Sequence, residues 1–173
     1  GKPIWQQQYA ALERSGFGIK RLLDRRDPAF VSGGVGVGEG LVLMGTTHGE
    51  VVALDVADGS ERWRTRVGTE VGSAPTTGNG KVYVQTIDDR ISALDADTGA
   101  VAWTYDSQMP LLTLRGTSVP VFDQGVLYSG FANGKVVALR AENGEPMWEQ
   151  RVMLPEGRSE LDRIVDVDAR IEL

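Results

Sequence analysis

A fifteen-residue motif occurs three times in this chain, and no other feature limits its fold as severely. GEVVALDVADGSERW (49–63), DRISALDADTGAVAW (89–103) and GKVVALRAENGEPMW (134–148) align without gaps. Trp63, Trp103 and Trp148 each follow an alanine (Ala53, Ala93, Ala138) by ten residues and a glycine (Gly59, Gly99, Gly144) by four. Upstream, Gly40, Gly80 and Gly125 precede those alanines by thirteen residues, and each opens an apolar run. At the N-terminus, GKPIW repeats the Gly-to-Trp spacing at Trp5. The tryptophans of the three motifs lie 40 and 45 residues apart. A period of that size marks stacked supersecondary units, each burying its apolar face against the next.

Each unit reads as four strands. In the middle unit the first is predicted near 71–77, the second over Lys81–Thr86, the third over Arg90–Asp95 and the fourth over Ala100–Tyr105. GNG, DD and Asp97-Thr98-Gly99 supply the turns between them. Asp58-Gly59 and Asn143-Gly144 occupy the last turn in the other two units. Asp-Gly and Asn-Gly suit a type I′ hairpin turn, whose central residues both need φ > 0. Short antiparallel meanders at this period predict an all-β fold, a β-propeller of four-stranded blades. Residues 31–67, 71–106 and 117–152 are expected to form three blades. Residues 1–9 would be the last strand of a preceding blade, 10–30 an inserted connector, and 163–173 the start of the next blade. On this reading both ends are cut from something longer. The repeated Trp, Ala and Gly positions are architectural: Trp as an interlock between blades, Ala where sheets pack closely, Gly in the turn. An open array leaves unpaired edges, so two copies are expected to associate through them.

Composition narrows the function. Gly is high, at 22 of 173 residues, as many short turns require. The net charge is −6, which opposes a nucleic-acid footprint. There is no Cys, so the chain offers neither a disulfide nor a thiolate metal site. No apolar run is long enough to span a membrane. His48, the single histidine, sits in the turn TTHGE, and no nucleophile–histidine or histidine-cluster chemistry can be built on it. The stretch SGGVGVGEG (32–40) lacks the G-x-G-x-x-G order and leads into strand, so it reads as an inner strand and its turn. No catalytic, cofactor-binding or metal-binding residues are assigned, and the expectation is a binding protein and not an enzyme.

Recognition on a repeat scaffold resides in what does not repeat. The connector from Trp63 to Gly80 spans 17 residues, that from Trp103 to Gly125 spans 22, and that from Trp5 to Gly40 spans 35. All three join the last strand of one blade to the first of the next, so they should emerge on one face. The first extension carries Arg14, Lys20, Arg21, Arg25 and Arg26, a basic island on an acidic chain. The second, SQMPLLTLRG (107–116), sets Leu111, Leu112 and Leu114 beside Arg115, the make-up of a binding hot spot. After Trp148, LPEGRSELDRIVDVD (154–168) gathers Asp162, Asp166 and Asp168. Asp166 and Asp168 alternate around Val167 and would point one way on a strand. Arg115 either meets a partner or ties the two connectors together through Asp166 or Asp168.

Blade motifs of the form A-L-D-x-x-x-G-x-x-x-W resemble the repeats of PQQ-type quinoprotein propellers. Three further segments, MPLLTLRG (109–116), ELDRIVDVD (160–168) and SGGV (32–35), are similar to the BamB family. That family supplies the lipoprotein subunit of the outer-membrane β-barrel assembly machinery of Gram-negative bacteria. The resemblance runs over essentially the whole chain. It implies an eight-bladed ring, of which this chain would hold about half. It implies a non-enzymatic scaffold at the periplasmic face of the outer membrane, anchored by a lipid on a Cys outside this chain. It implies binding to the POTRA domains of BamA through Leu112, Leu114, Arg115, Asp166 and Asp168. Unfolded outer-membrane protein clients are a further possible partner, held by β-augmentation at blade edges. A quinone-dependent dehydrogenase fragment is the alternative within the wider propeller group, although the vicinal Cys pair of those enzymes is missing.

Overall fold

The chain's apolar runs pair into three four-stranded antiparallel sheets, described by a computed structural model for residues 3–6, 31–107, 117–131 and 134–152. The first sheet comprises β1 (Val31–Gly38), β2 (Leu41–Thr46), β3 (Glu50–Asp55) and β4 (Glu61–Arg66). The second comprises β5 (Thr76–Gly78), β6 (Lys81–Gln85), β7 (Arg90–Asp95) and β8 (Val101–Asp106). The third comprises β9 (Val121–Asp123), β10 (Val126–Gly130), β11 (Lys135–Arg140) and β12 (Pro146–Arg151). In each sheet the spatial order follows the chain order, a simple meander. Among the described residues there is no helix.

The sheets are propeller blades stacked face to face. Val82 and Val84 of β6 join Leu41, Leu43, Val51, Ala53 and Trp63 in one core between the first and second blades. Tyr83, Ile91 and Ala93 join Leu127, Phe131, Val137 and Leu139 in the core between the second and third. A middle-blade strand therefore buries both of its faces, and Val82, Tyr83, Val84 and Gln85 are all fully buried. Such a strand reads as a continuous apolar run, since neither face is solvated. The one polar member is satisfied across the blade interface: Gln85 Nε2 donates to the Gly130 carbonyl at 2.9 Å, and Ser129 Oγ donates to Gln85 Oε1 at 2.6 Å.

The tryptophans are the interlock. Trp63 Nε1–H donates to the Ala96 carbonyl of the next blade at 2.8 Å, and Trp103 Nε1–H to the Ala141 carbonyl at 3.1 Å. Each ring lies against the glycine three residues beyond that carbonyl. A Cβ on Gly99 would come within 2.6 Å of the Trp63 ring, and one on Gly144 within 2.6 Å of the Trp103 ring. Trp5 makes the same latch to the first blade, donating to the Val56 carbonyl at 3.0 Å and covering Gly59. The alanines stand directly opposite the tryptophans in register, Ala53 to Trp63, Ala93 to Trp103 and Ala138 to Trp148. A larger side chain there would compete with the indole for the same space. Burial of a large aromatic is worth several kcal/mol, against about 1 kcal/mol for the hydrogen bond. The ring's packing holds the blades, and the N–H sets where it packs.

Two local predictions are corrected. The Asp58-Gly59 and Asn143-Gly144 turns are not type I′, because only their glycines have positive φ. They are longer turns in which Gly59 N–H donates to the Asp55 carbonyl and the Asp55 carboxylate accepts from Ala57 N–H. The glycine serves the incoming tryptophan as much as the turn. The type I′ signature falls instead on the inner hairpins, where Glu39-Gly40, Asn79-Gly80 and Gln124-Gly125 have φ > 0 at both residues. The first strand of the second blade is also shorter than predicted, spanning Thr76–Gly78, not 71–77. Val71 makes only an isolated bridge to Thr86, and Pro75 has no N–H to pair.

The latch geometry predicts an asymmetry among tryptophans. Trp103→Ala should lower unfolding stability by about 3–5 kcal/mol. Trp148, 46% exposed, has no such socket filled among the described residues, and its replacement by Ala should cost less than about 1 kcal/mol. Urea denaturation followed by far-ultraviolet circular dichroism measures both.

Candidate partner-binding face

Because every blade runs its strands in the same sense, the turn between its second and third strands lies at the same end as the connector leaving its fourth. The hydrogen bonds make this concrete. Val67 N–H donates to the Gly49 carbonyl, Ser107 N–H to the Asp89 carbonyl and Val152 N–H to the Gly134 carbonyl, at 2.8, 3.1 and 2.9 Å. Each blade thus seals the start of its outgoing connector against its own turn.

The first described connector, 67–75, is fully laid down. Val71 N–H reaches back to the Thr46 carbonyl, while Gly72 N–H and Ile87 N–H join it to the second blade through the Gln85 and Glu70 carbonyls. Thr69 Oγ1 donates to Asp88 Oδ1 at 2.8 Å, and Thr86 Oγ1 donates to the same oxygen. Burial raises the Asp88 pKa, but the Thr86 and Thr69 hydroxyls, its own backbone N–H and the Arg90 charge together hold the carboxyl below its usual value. Ion pairs line the same end of the outer strands: Arg64 with Glu50, Arg90 with Asp106, Lys135 with Glu149. Tyr105 Oη donates to Glu149 across the second and third blades. That bond, with Lys135 behind it, lowers the Glu149 pKa against the opposing effect of burial.

The five sequence-predicted partner residues, Leu112, Leu114, Arg115, Asp166 and Asp168, lie outside the described residues, as does the basic stretch 11–30. The anchors that flank them are described. Residues 108–116 leave from Ser107, bonded to Asp89, and re-enter at Thr117, whose side chain abuts Gly72 of the preceding connector. The segment holding Asp166 and Asp168 leaves from Val152, bonded to Gly134. All of these anchors belong to the connector face. His48 is an exposed turn residue on that face, as predicted. Among the described residues no group of His, Cys, Asp or Glu is placed to hold a metal ion.

Sequence reasoning missed two polar devices. The Thr69–Asp88–Thr86 clasp was hidden in what read only as an Asp-Asp turn; its one signal is the Thr-x-Asp spacing at 86–88. The Gln85–Ser129 bridge had no signal, because a lone polar residue ending an apolar run resembles a strand terminus.

The family model described as outer membrane protein assembly factor BamB matches residues 1–171. The chain belongs to the BamB family. A BamB from Xanthomonas campestris pv. campestris is 42% identical over 97% of this chain, which corresponds to 39% of that protein. The crystal structure of BamB from Moraxella catarrhalis superposes with a TM-score of 0.79 at 31% identity, covering 84% of this chain and 45% of that one. The chain spans between 34% and 41% of the length of the BamB relatives compared with it. A europium-containing methanol dehydrogenase is also similar, with a TM-score of 0.58 at 19% identity, covering 70% of this chain and 32% of that one; that likeness reflects the propeller fold alone. The propeller fold anticipated from the repeats and the family anticipated from the non-repeating segments are therefore correct.

The clasp yields a pH dependence. A carboxylate whose folded pKa is depressed contributes stability above its unfolded pKa, near 4, and loses it as pH falls through the lower folded value. Stability should decline as pH drops below about 4, and Asp88→Asn should flatten that decline while lowering stability at neutral pH. Urea midpoints between pH 3 and 7 give the comparison.

Proposed function

We propose that this chain is part of a non-enzymatic scaffold of the outer-membrane β-barrel assembly machinery, working at the periplasmic face of the outer membrane. The whole protein would be held there by a lipid on a residue outside this sequence. Its partner would be the POTRA region of BamA. Membership of the BamB family over residues 1–171 is the observation that carries this reading. The hydrogen-bonded anchors supply the physical means: both irregular connectors start from sealed turns on one face of latched blades.

In this mechanism the blades contribute stiffness. Leu112 and Leu114 would offer apolar area to the partner, and Arg115 a planar set of donors for carboxylate or backbone oxygens. Asp166 and Asp168 would accept from backbone N–H groups or a basic side chain. A preorganised face loses little conformational entropy on docking, so more of the contact energy appears as affinity.

A second reading is favoured by the outer strands. Among the described residues, β4, β8 and β12 each pair on one side only. Such edges could take a client strand by β-augmentation. The two readings separate by site: crosslinks from β4 or β8 would capture client strands, and crosslinks from the connector face would capture BamA.

Leu114→Ala and Arg115→Glu should each weaken binding of the BamA POTRA domains by about 2 kcal/mol or more, roughly 30-fold in Kd, with the circular dichroism spectrum unchanged. Isothermal titration calorimetry reads the difference. Unaltered affinity in both variants would remove these residues from the interface.

A further inference from the structure

Asn-Gly pairs stand at 79–80, 133–134 and 143–144. Asn133 lies outside the described residues; the other two pairs occupy different turns of their blades. An asparagine followed by glycine can react with itself. The glycine nitrogen attacks the side-chain amide carbon, and no Cβ on the glycine hinders the approach. Asparagine is a thermolabile residue on this account. Whether a given pair reacts depends on whether its turn lets that nitrogen swing toward the side chain.

The Asn143-Gly144 turn does not. Gly144 N–H donates to the Arg140 carbonyl at 2.8 Å, and Asn143 N–H donates to the same carbonyl at 3.3 Å. Asn143 Oδ1 accepts from Glu145 N–H at 3.1 Å, so the amide is tethered as well. Gly144 is buried, and a Cβ on it would come within 2.6 Å of the Trp103 ring. The latch that joins the second and third blades thus immobilises the nitrogen.

The Asn79-Gly80 turn is open. It is the two-residue tip of the β5–β6 hairpin, with φ of 54° and 70°. Both residues are exposed, and nothing lies within 4 Å of where a Cβ on Gly80 would sit. Gly80 N–H donates to Glu39 Oε1 at 3.2 Å, an exposed bond from the tip of the preceding blade. Among the described residues no hydrogen bond holds the Asn79 side-chain amide. β5 has only 3 residues, so few ladder bonds oppose movement of the tip. It lies between β1 and β9 of the neighbouring blades, so the tip belongs to the surface of the disc and not to an open blade face.

We propose that Asn79 is a site of spontaneous deamidation in the folded protein and that Asn143, in the same dipeptide, is protected. The Gly80 nitrogen forms a bond to Asn79 Cγ, the Cγ–Nδ2 bond breaks, and ammonia leaves with the proton from the Gly80 nitrogen. Water then opens the five-membered imide at either carbonyl. The product at position 79 is aspartate, or isoaspartate with the chain running through the side-chain carbon. Isoaspartate lengthens the backbone of a two-residue turn whose length sets the strand register. Either product places a new carboxylate beside the residue that Glu39 holds, and so weakens the Glu39–Gly80 tie between the first two blades. The proposal rests on turn geometry and is independent of what the connector face binds.

Prolonged incubation of the full chain at mildly alkaline pH tests it, read by peptide mapping with mass spectrometry and by an isoaspartyl methyltransferase assay. Asn79 should convert at least about tenfold faster than Asn143, the factor expected where two hydrogen bonds must open first. In concentrated guanidinium chloride the two sites should convert at matching rates, since the dipeptide is the same and the fold is gone. Equal rates at the two sites in the folded chain, or slower conversion at Asn79, would overturn the proposal. So would a difference that persists undiminished in the denaturant, because it would come from local sequence and not from the turns.

Discussion

An indole donating to a carbonyl in the next blade, its ring resting on a glycine three residues beyond, sets nearly everything else in this molecule. The glycine has no Cβ because the ring occupies that space. The alanine opposite the tryptophan is small because the same ring needs room on its own sheet. The turn between the third and fourth strands is longer than a two-residue hairpin because it must present both a carbonyl and a left-handed glycine to its neighbour. Three residue types that look like separate repeat consensus positions are thus one contact seen from two sides.

That contact also fixes where the connectors between blades are anchored. A connector between blades is only as well placed as the blades it joins. Here the latches, the shared apolar cores and the buried Gln85–Ser129 bridge hold successive sheets in fixed relation. The turn bonds at Val67, Ser107 and Val152 then seal the start of each connector. The repeat thus supplies the rigidity on which the proposed recognition by segments of differing length and composition depends. The Thr69–Asp88–Thr86 clasp shows the same logic in the shortest connector, where two hydroxyls from different segments converge on one carboxylate.

Legibility in the sequence followed periodicity. The blades, their strand order and the interlocking role of Trp63 and Trp103 could be read, because each was repeated at constant spacing. The inner hairpin turn was readable as Gly40, Gly80 and Gly125, yet its type I′ geometry was assigned to the outer turn. Asp-Gly and Asn-Gly there carry the usual hairpin signal, but the tryptophan contact, which comes from another blade, decides the backbone. The short first strand of the second blade was over-extended because Val71 and Pro75 look apolar and extended, whereas Pro75 cannot donate to a ladder. Polar contacts between blades were invisible, since Gln85 and Ser129 are 44 residues apart and neither is repeated. Leu112, Leu114, Arg115, Asp166 and Asp168 were singled out for the opposite reason, that they interrupt the period.

Hydrogen exchange at the four indole N–H groups, followed by nuclear magnetic resonance on dilute protein, tests the latch most directly. The account predicts strong protection for Trp63 and Trp103, weaker protection for Trp5, whose bond is exposed, and exchange near the free-indole rate for Trp148. Uniformly fast exchange at Trp63 and Trp103, or Trp148 protected as well as they are, would contradict it.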